Sequence, residues 1–345
     1  MKIVFCLVRY IGGNRNLGVS LEEQYWVEPL RQLGHDVFIF EIDDYLIGPG
    51  LASKKDDGRL LEYVKKIKPD WVVMNDYSND SISEQTWMEI AGICKSSDWF
   101  GDDNHRYDNY TKYKASYFTH PITCDFFSYD KYLRDGYTNV IMSQWAAFNF
   151  DNVEEEETDA YLYDVTFVGT FSLYRKCVYD YLKKNKVSVQ FYGSGWPGGT
   201  VTLGQMKNIF RTSRINLSLE KLATNYDIRF LISDKMRFLS FLKRTITNRS
   251  LYTVHKQIKT RHFDICMCGG FQISEYVPMI EKYFEIGKEL VVFSSLEEML
   301  SLIQYYTKRE YERKKIAQAG QQRTKSQHLM INRWQEVIRQ LERKE

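Results

Sequence analysis

The stretch Gln257–Tyr276 carries the densest set of residues able to do chemistry: Lys259, Arg261, Asp264 and Glu275, grouped around Gly269-Gly270. Its pattern predicts a short helix over Arg261–Cys268, a glycine stop and a strand over Phe271–Ser274. Lys259 and Arg261 then stand at the helix entrance, where cationic side chains and helix amides can both meet phosphate. Asp264 and Glu275 flank the helix-to-strand turn, where carboxylates can accept hydrogen bonds from the hydroxyls of a ribose. A second group is Phe167-Val168-Gly169-Thr170 followed by Arg175. A strand ending in glycine sets Arg175 on the first turn of the next helix, suited to bidentate phosphate contact or to an ordinary surface role. In Tyr192-Gly193-Ser194-Gly195-Trp196 a strand end opens into a glycine loop whose main-chain groups could line a planar base. Gly12-Gly13, between an apolar run and a helix start, lets backbone amides approach a ligand, or simply makes a tight turn; the G-x-G-x-x-G fingerprint is absent. Asp102-Asp103-Asn104-His105 offers carboxylates that could deprotonate a hydroxyl and a histidine that could bond a sugar; the alternative is a polar loop with helix-capping aspartates. His120-Pro121 is a lesser strand-end candidate.

Alternating strand and helix signals must position these groups. Lys2–Val8 reads as a strand buried on both faces, and Ser20-Leu21-Glu22-Glu23 as a capping box opening a helix that ends at Gly34. A strand at His35–Phe40, a helix at Leu60–Ile67 and a strand at Asp70–Met74 follow, with short strands near Ser97–Phe100, Phe118–Cys124 and Asn139–Met142. Asp151–Asp159 packs six acids into nine positions and reads as a surface linker. The alternation then restarts: strands at Val165–Val168, Ser188–Tyr192 and Arg214–Leu219, helices at Leu173–Lys184 and Leu203–Ser213. Helices over Leu296–Tyr306, Glu310–Ala319 and Gln321–Leu341 close the chain, with Gly320 at a break. Strands joined by crossover helices imply right-handed βαβ units and parallel sheets, hence an α/β chain of two Rossmann-like domains.

Composition narrows the class. The 345 residues favour two domains, and the formal net charge of +2 argues against a nucleic-acid protein held by a global basic field. A hydrophobic share of 43% with 27% charged excludes wholesale disorder. Arg9 interrupts the apolar start too early for a signal-peptide core, and no run is long enough to span a bilayer. Six scattered cysteines, Cys266 and Cys268 among them, read as reduced and mostly buried thiols in a cytoplasmic protein. Aromatic content is high at 15%. Tyr10, Trp99, Tyr107, Tyr110, Tyr192, Trp196 and Tyr276 fall where a ligand-binding edge is expected, and flat rings with a polar tip suit sugars.

The sequence resembles the glycosyltransferases of the spore-maturation-protein (CgeB-like) group. The likeness is carried by Gly34-His35-Asp36-Val37, Lys68-Pro69-Asp70, Trp99-Phe100-Gly101-Asp102-Asp103, Asp164–Gly169 with Arg175, and Tyr192–Trp196. Above all it is carried by Gln257–Glu275, then Tyr283-Phe284, Gly287-Lys288-Glu289, Glu312-Arg313, Ile316-Ala317, Ala319-Gly320 and Arg333. The resemblance implies the GT-B fold: two Rossmann-like domains facing across a cleft, with C-terminal helices. The division it suggests is an acceptor-side domain at 1–150, an acidic linker at 151–160, a donor-side domain at 161–320 with a basic helical insert at 220–256, and a C-terminal helix at 321–345 that packs back on the first domain.

It implies hexosyl-type transfer from a nucleotide-diphosphate sugar to a glycan, lipid-linked or protein acceptor, in polysaccharide biosynthesis. Gly12, Gly13, Gly169, Arg175, Tyr192, Gly193, Lys259, Arg261, Asp264 and Glu275 would bind the donor, and Asp102, Asp103 and His105 would serve catalysis. Asp264 stands where the family usually has Glu against the ribose. Arg175, Lys259 and Arg261 would neutralise the leaving diphosphate; no D-x-D motif follows a strand, and neither a metal nor a cofactor is expected.

The departure from the family lies between Leu219 and Lys256. Arg229–Arg261 holds nine Lys/Arg against Asp234, a local net of +8, with apolar residues near helical spacing. Two readings stand: a helical lid with solvated lysines, or a surface that draws an anionic, lipid-linked acceptor to the inner face of a membrane through 229–261. A non-catalytic nucleotide- or sugar-binding protein on the same fold is the alternative function. A metabolite epimerase is a third, to which the basic insert lends nothing.

Overall fold

The computed structural model describes residues 1–10, 20–42, 55–75, 82–151, 153, 160–220 and 256–343. Gly12 and Gly13, all but Asp151 and Val153 of the acidic stretch 151–159, and 221–255 of the basic insert lie outside the described residues. The chain forms two compact units, Met1–Trp145 with Leu329–Glu345, and Ala146–His328.

The first unit is a six-stranded parallel sheet in the order β2-β1-β3-β4-β5-β6. Its strands are β1 (Lys2–Leu7), β2 (Asp36–Glu41), β3 (Trp71–Met74), β4 (Lys95–Phe100), β5 (Ile122–Thr123) and β6 (Ile141–Met142). After its first residue β1 is buried throughout, because it lies between β2 and β3 in a sheet covered on both faces. The helices are α1 (Glu28–Gln32), α2 (Lys55–Ile67), α3 (Glu84–Ala91), α4 (Asp103–Arg106), α5 (Lys112–Lys114) and α6 (Phe126–Arg134). A π-helical turn over Glu23–Val27 leads into α1. The capping box expected at Ser20 is only partly formed: the Ser20 hydroxyl accepts the Glu22 N–H at 3.4 Å and donates to the Val8 carbonyl at 2.9 Å, tying the helix entrance to the strand before it.

The second unit is a five-stranded parallel sheet in the order β11-β10-β9-β7-β8. It contains β7 (Tyr163–Val168), α7 (Leu173–Lys184), β8 (Val189–Tyr192), α8 (Leu203–Thr212), β9 (Ser213–Ser218), α9 (Thr260–Met267), β10 (Gln272–Glu275), β11 (Val291–Phe293), α10 (Leu296–Thr307) and α11 (Glu310–Gln327). Side chains cap the helix starts: Ser172 for α7, Ser295 for α10, and Thr202 with Gln205 in a reciprocal box for α8. The apolar faces of β7, β8, β9 and β10 close on Val178, Leu182, Ile303 and Ile316 from the helices. The expected break at Gly320 is absent; the residue lies inside α11. A Cβ there would stand 2.3 Å from the Glu289 carbonyl oxygen and 3.2 Å from Cys266 Sγ, so glycine serves close packing, not termination.

The last helix, α12 (Met330–Arg343), belongs to the first unit. Its apolar stripe of Met330, Trp334, Val337, Ile338 and Leu341 is buried. Trp334 packs at 5.3 Å from Trp99, 5.8 Å from Trp71 and 6.1 Å from Trp26, and its indole N–H donates to the Trp26 carbonyl at 2.8 Å. Gln340 exchanges two hydrogen bonds with the Met142 backbone. Much of the aromatic excess is therefore core. Trp99, Tyr107 and Trp196, expected at a ligand edge, are all buried. The six cysteines form no disulfide, and no helix among the described residues is long and apolar enough to cross a membrane.

Candidate functional site

The order of the second sheet reverses direction at β7: β8 adds on one side, β9 and β10 on the other. At such a switch point the loops beyond the strand ends part, leaving room for a ligand at the carboxyl edge of the sheet. The charged residues of this unit gather there. Arg261, in the first turn of α9, donates from Nε to the Val168 carbonyl at 2.7 Å and from Nη1 to Glu220 Oε1 at 2.5 Å. Arg175, in the first turn of α7, donates to Thr170 O at 2.7 Å and twice to Leu219 O, at 3.3 and 3.0 Å. Both guanidinium groups lie over the Phe167 ring, 4.8 and 5.0 Å from its centroid. Burial, with the like charge of Arg261 beside it, pulls Arg175 down to about 10.

Two glycines make this approach possible. A Cβ on Gly169 would stand 2.5 Å from Arg261 Nη2. Gly193 has φ +121°, and a Cβ there would stand 2.4 Å from the Gly169 carbonyl oxygen. The loop ends of β7 and β8 are thus stitched together: Gly169 N–H donates to Tyr192 O, Phe171 N–H to Ser194 O and the Trp196 indole to Gly169 O.

Carboxylates complete the cluster. Glu220 is buried and accepts the Ser218 hydroxyl at 2.7 Å, while its backbone N–H donates to Glu275 Oε2 at 3.2 Å. Glu275 Oε1 pairs with Lys256 Nζ at 3.2 Å. Burial pushes the Glu220 carboxyl up, but Arg261, His262 and Arg175 outweigh it and hold it at about 2. Burial also pulls His262 below its ordinary value. Its Nδ1 accepts the Lys259 N–H at 3.1 Å, and its enclosed Nε2 has no hydrogen-bond partner. Tyr174, enclosed beside Glu275, is pushed well above the ordinary tyrosine range by burial and that charge.

The structure therefore brings Gly169, Gly193, Arg175, Arg261 and Glu275 of the expected donor set together. Lys259 caps the start of α9, its ammonium on Gln257 Oε1 at 3.1 Å. Tyr192 contributes backbone only: its hydroxyl donates to Gln190 at 2.6 Å, on the exposed side of β8. Asp264 is committed elsewhere in the unit, accepting the Phe148 N–H at 2.9 Å, and burial raises it to about 7. Glu220, Tyr174, Lys256 and His262 were not singled out as site residues from the sequence.

In the first unit the catalytic candidates follow β4. Asp103 is fully buried; its carboxyl faces Thr111, Thr123 and Tyr132, and burial raises it to about 7. Asp102, which opens α4, and His105, whose Nδ1 lies 2.7 Å from Asn104 Oδ1, are half-buried.

Solved structures match this architecture at low identity. Sucrose-phosphate synthase from Thermosynechococcus elongatus superposes with a TM-score of 0.59 at 9% identity over 100% of both chains. Anabaena Alr3699/HepE, solved in complex with UDP and glucose, gives 0.60 at 10% identity over 99% of this chain and 100% of that one. A glycosyltransferase from Rickettsia africae ESF-5 gives 0.51 at 13% identity over 99% and 97%. The chain has the GT-B glycosyltransferase fold. Residues 175–339 also match the family described as Glycosyl transferase-like, a span that opens at Arg175 and includes Arg261 and Glu275. No curated protein sequence matches this glycosyltransferase-like chain. The family pattern supports glycosyl transfer as the activity.

Proposed function

We propose that the second unit binds a nucleoside-diphosphate sugar at the carboxyl ends of β7, β9 and β10, and that the chain transfers its hexosyl group to an acceptor hydroxyl. The observation that supports this most is the pairing of Arg175 and Arg261 at the switch point, inside the stretch with glycosyl transferase-like sequence. The reaction breaks the bond between the anomeric carbon and the β-phosphate oxygen and leaves charge on the diphosphate. Arg261, with Lys256, Lys259 and the first amides of α9, is the set able to take up that charge. Arg175 fixes the β7–α7 loop and the end of β9, which keeps the pair in register. These cations support a reaction that needs no metal ion.

On this reading Glu220 and Glu275 exchange their present partners for sugar hydroxyls, from which they accept hydrogen bonds. Of the candidate bases, Asp102 and His105 have the exposure that Asp103 lacks. The donor's nature follows that of the relatives: the Anabaena protein has been solved with UDP and with UDP-glucose. The sequence motifs support placement in the CgeB-like group, with a glycan, lipid-linked or protein acceptor, and the basic stretch 229–261 supports contact with an anionic surface.

Calorimetric titration of the full chain with UDP, GDP, ADP, CMP and dTDP tests this reading. At least one nucleotide should bind, Arg261→Lys should weaken it, and EDTA should leave both binding and turnover of the matching nucleotide sugar unchanged. No binding by any nucleotide would refute the donor site.

A further inference from the structure

Phe171 is one of the few large apolar side chains left open in the second unit, 38% exposed at the tip of the β7–α7 loop. It is held there from two sides. Its N–H donates to Ser194 O at 2.8 Å, and its ring packs against Trp196 at 5.0 Å between centroids. Gly195, at φ +83°, makes room for it: a Cβ on that glycine would stand 2.7 Å from Phe171 Cβ. The neighbouring residue, Thr170, is the one whose carbonyl holds Arg175, and Gly169 lies against Arg261. An aromatic ring is thus fixed in place on the loop that lies against Arg175 and Arg261, on the β8 side of them.

The two sides of the arginine pair differ in chemistry. Towards β9 and β10 stand Glu220 and Glu275, acceptors suited to hydroxyl groups. Towards β8 stands the Phe171 ring, backed by the buried Trp196 and edged by the main chain of Ser194, an apolar plane with a polar edge. A planar heterocycle presents the complement of the second surface: a π-face to stack and ring-edge donors and acceptors for backbone groups. We propose that Phe171 is a stacking platform for the nucleobase of the donor, which orients the nucleoside-diphosphate sugar with its base towards β8 and its sugar towards Glu220 and Glu275. This assignment rests on the donor-site reading above.

Calorimetry on the full chain with UDP and with inorganic pyrophosphate separates the two claims. Aromatic–base stacking supports a loss of about 5- to 100-fold in UDP affinity for Phe171→Ala. Phe171→Tyr should retain wild-type affinity, and pyrophosphate, which has no base, should bind all three proteins equally. Wild-type UDP affinity in Phe171→Ala overturns the platform and leaves the donor site standing. Equal losses of UDP and pyrophosphate overturn it too, since the ring would then only hold the loop and its cations in place. A loss seen with UDP-glucose but not with UDP would put the ring under the sugar and reverse the orientation. Failure of the wild-type chain to bind either probe refutes the donor site and the platform together.

Discussion

Replacing Glu220 by Gln separates the charge of the Arg261 pair from its shape. Glu220 is fully buried, and despite that burial Arg261, His262 and Arg175 hold its carboxyl at about 2, against an ordinary 4.5. A carboxyl depressed in the folded state contributes stability above its unfolded pKa and loses it as pH falls towards the folded one. Here the contribution is about 3 kcal/mol at neutral pH, declining below pH about 4.5 at roughly 1.4 kcal/mol per pH unit. By pH 3.5 about 1.4 kcal/mol has gone. Glutamine keeps an acceptor for Ser218 and Arg261 but cannot titrate. It also leaves Arg261 without its counter-charge, a cost independent of pH in this range, so the slope isolates the ionisation. Hydrogen exchange of β9 amides, with β1 amides as an internal reference, measures the difference between wild type and Glu220→Gln. That difference should shrink by about 1.4 kcal/mol between pH 6 and pH 3.5. A difference that stays constant over this interval would refute the ion pair as the source of the stabilisation.

Two further substitutions probe the first unit. Trp334→Ala removes the ring on which Trp26, Trp71 and Trp99 converge and should lower the stability of that unit by about 3–5 kcal/mol, read as its calorimetric melting transition. Asp103, raised by burial to about 7 from an ordinary 3.8, favours the folded state when protonated, and that stability is lost as pH climbs through this range. Asp103→Asn should therefore melt higher than wild type at pH 8, with the gap narrowing at pH 5.

Local pattern made some of this structure legible before any coordinates. The strand–helix alternation appears because a central parallel strand such as β1 must be apolar on both faces, and because serine and threonine caps mark the helix starts of α7 and α8. The helix Leu173–Lys184 matches its sequence-based bounds residue for residue. Where close packing overrode local preference, pattern misled. Gly320 reads as a helix stop but is a contact with Glu289, and Trp99 reads as a binding surface but packs against a helix that begins more than two hundred residues later. The helix α3 was overlooked although Ser83 caps it, since its short apolar face, Trp87 and Ile90, is interleaved with polar residues.

Glu220 shows why part of the site could not be read in one dimension. It lies just past a strand that looks complete at Leu219, in no motif, with its partners Arg261 and Glu275 some forty to fifty-five positions away. What joins them is sheet register: Ser218 lies beside Ser274, so Glu275 one position on and Glu220 two positions on come to the same edge. Two acids at that spacing would repel if buried alone. Arg261 reaches between the strand ends because Gly169 has no side chain, and each acid then keeps a cationic partner, Glu220 in Arg261 and Glu275 in Lys256. The glycines were visible from sequence as loop residues. Their roles, the space a guanidinium occupies at Gly169 and the close approach of the β7 loop at Gly193, exist only once β7, β8 and α9 are assembled.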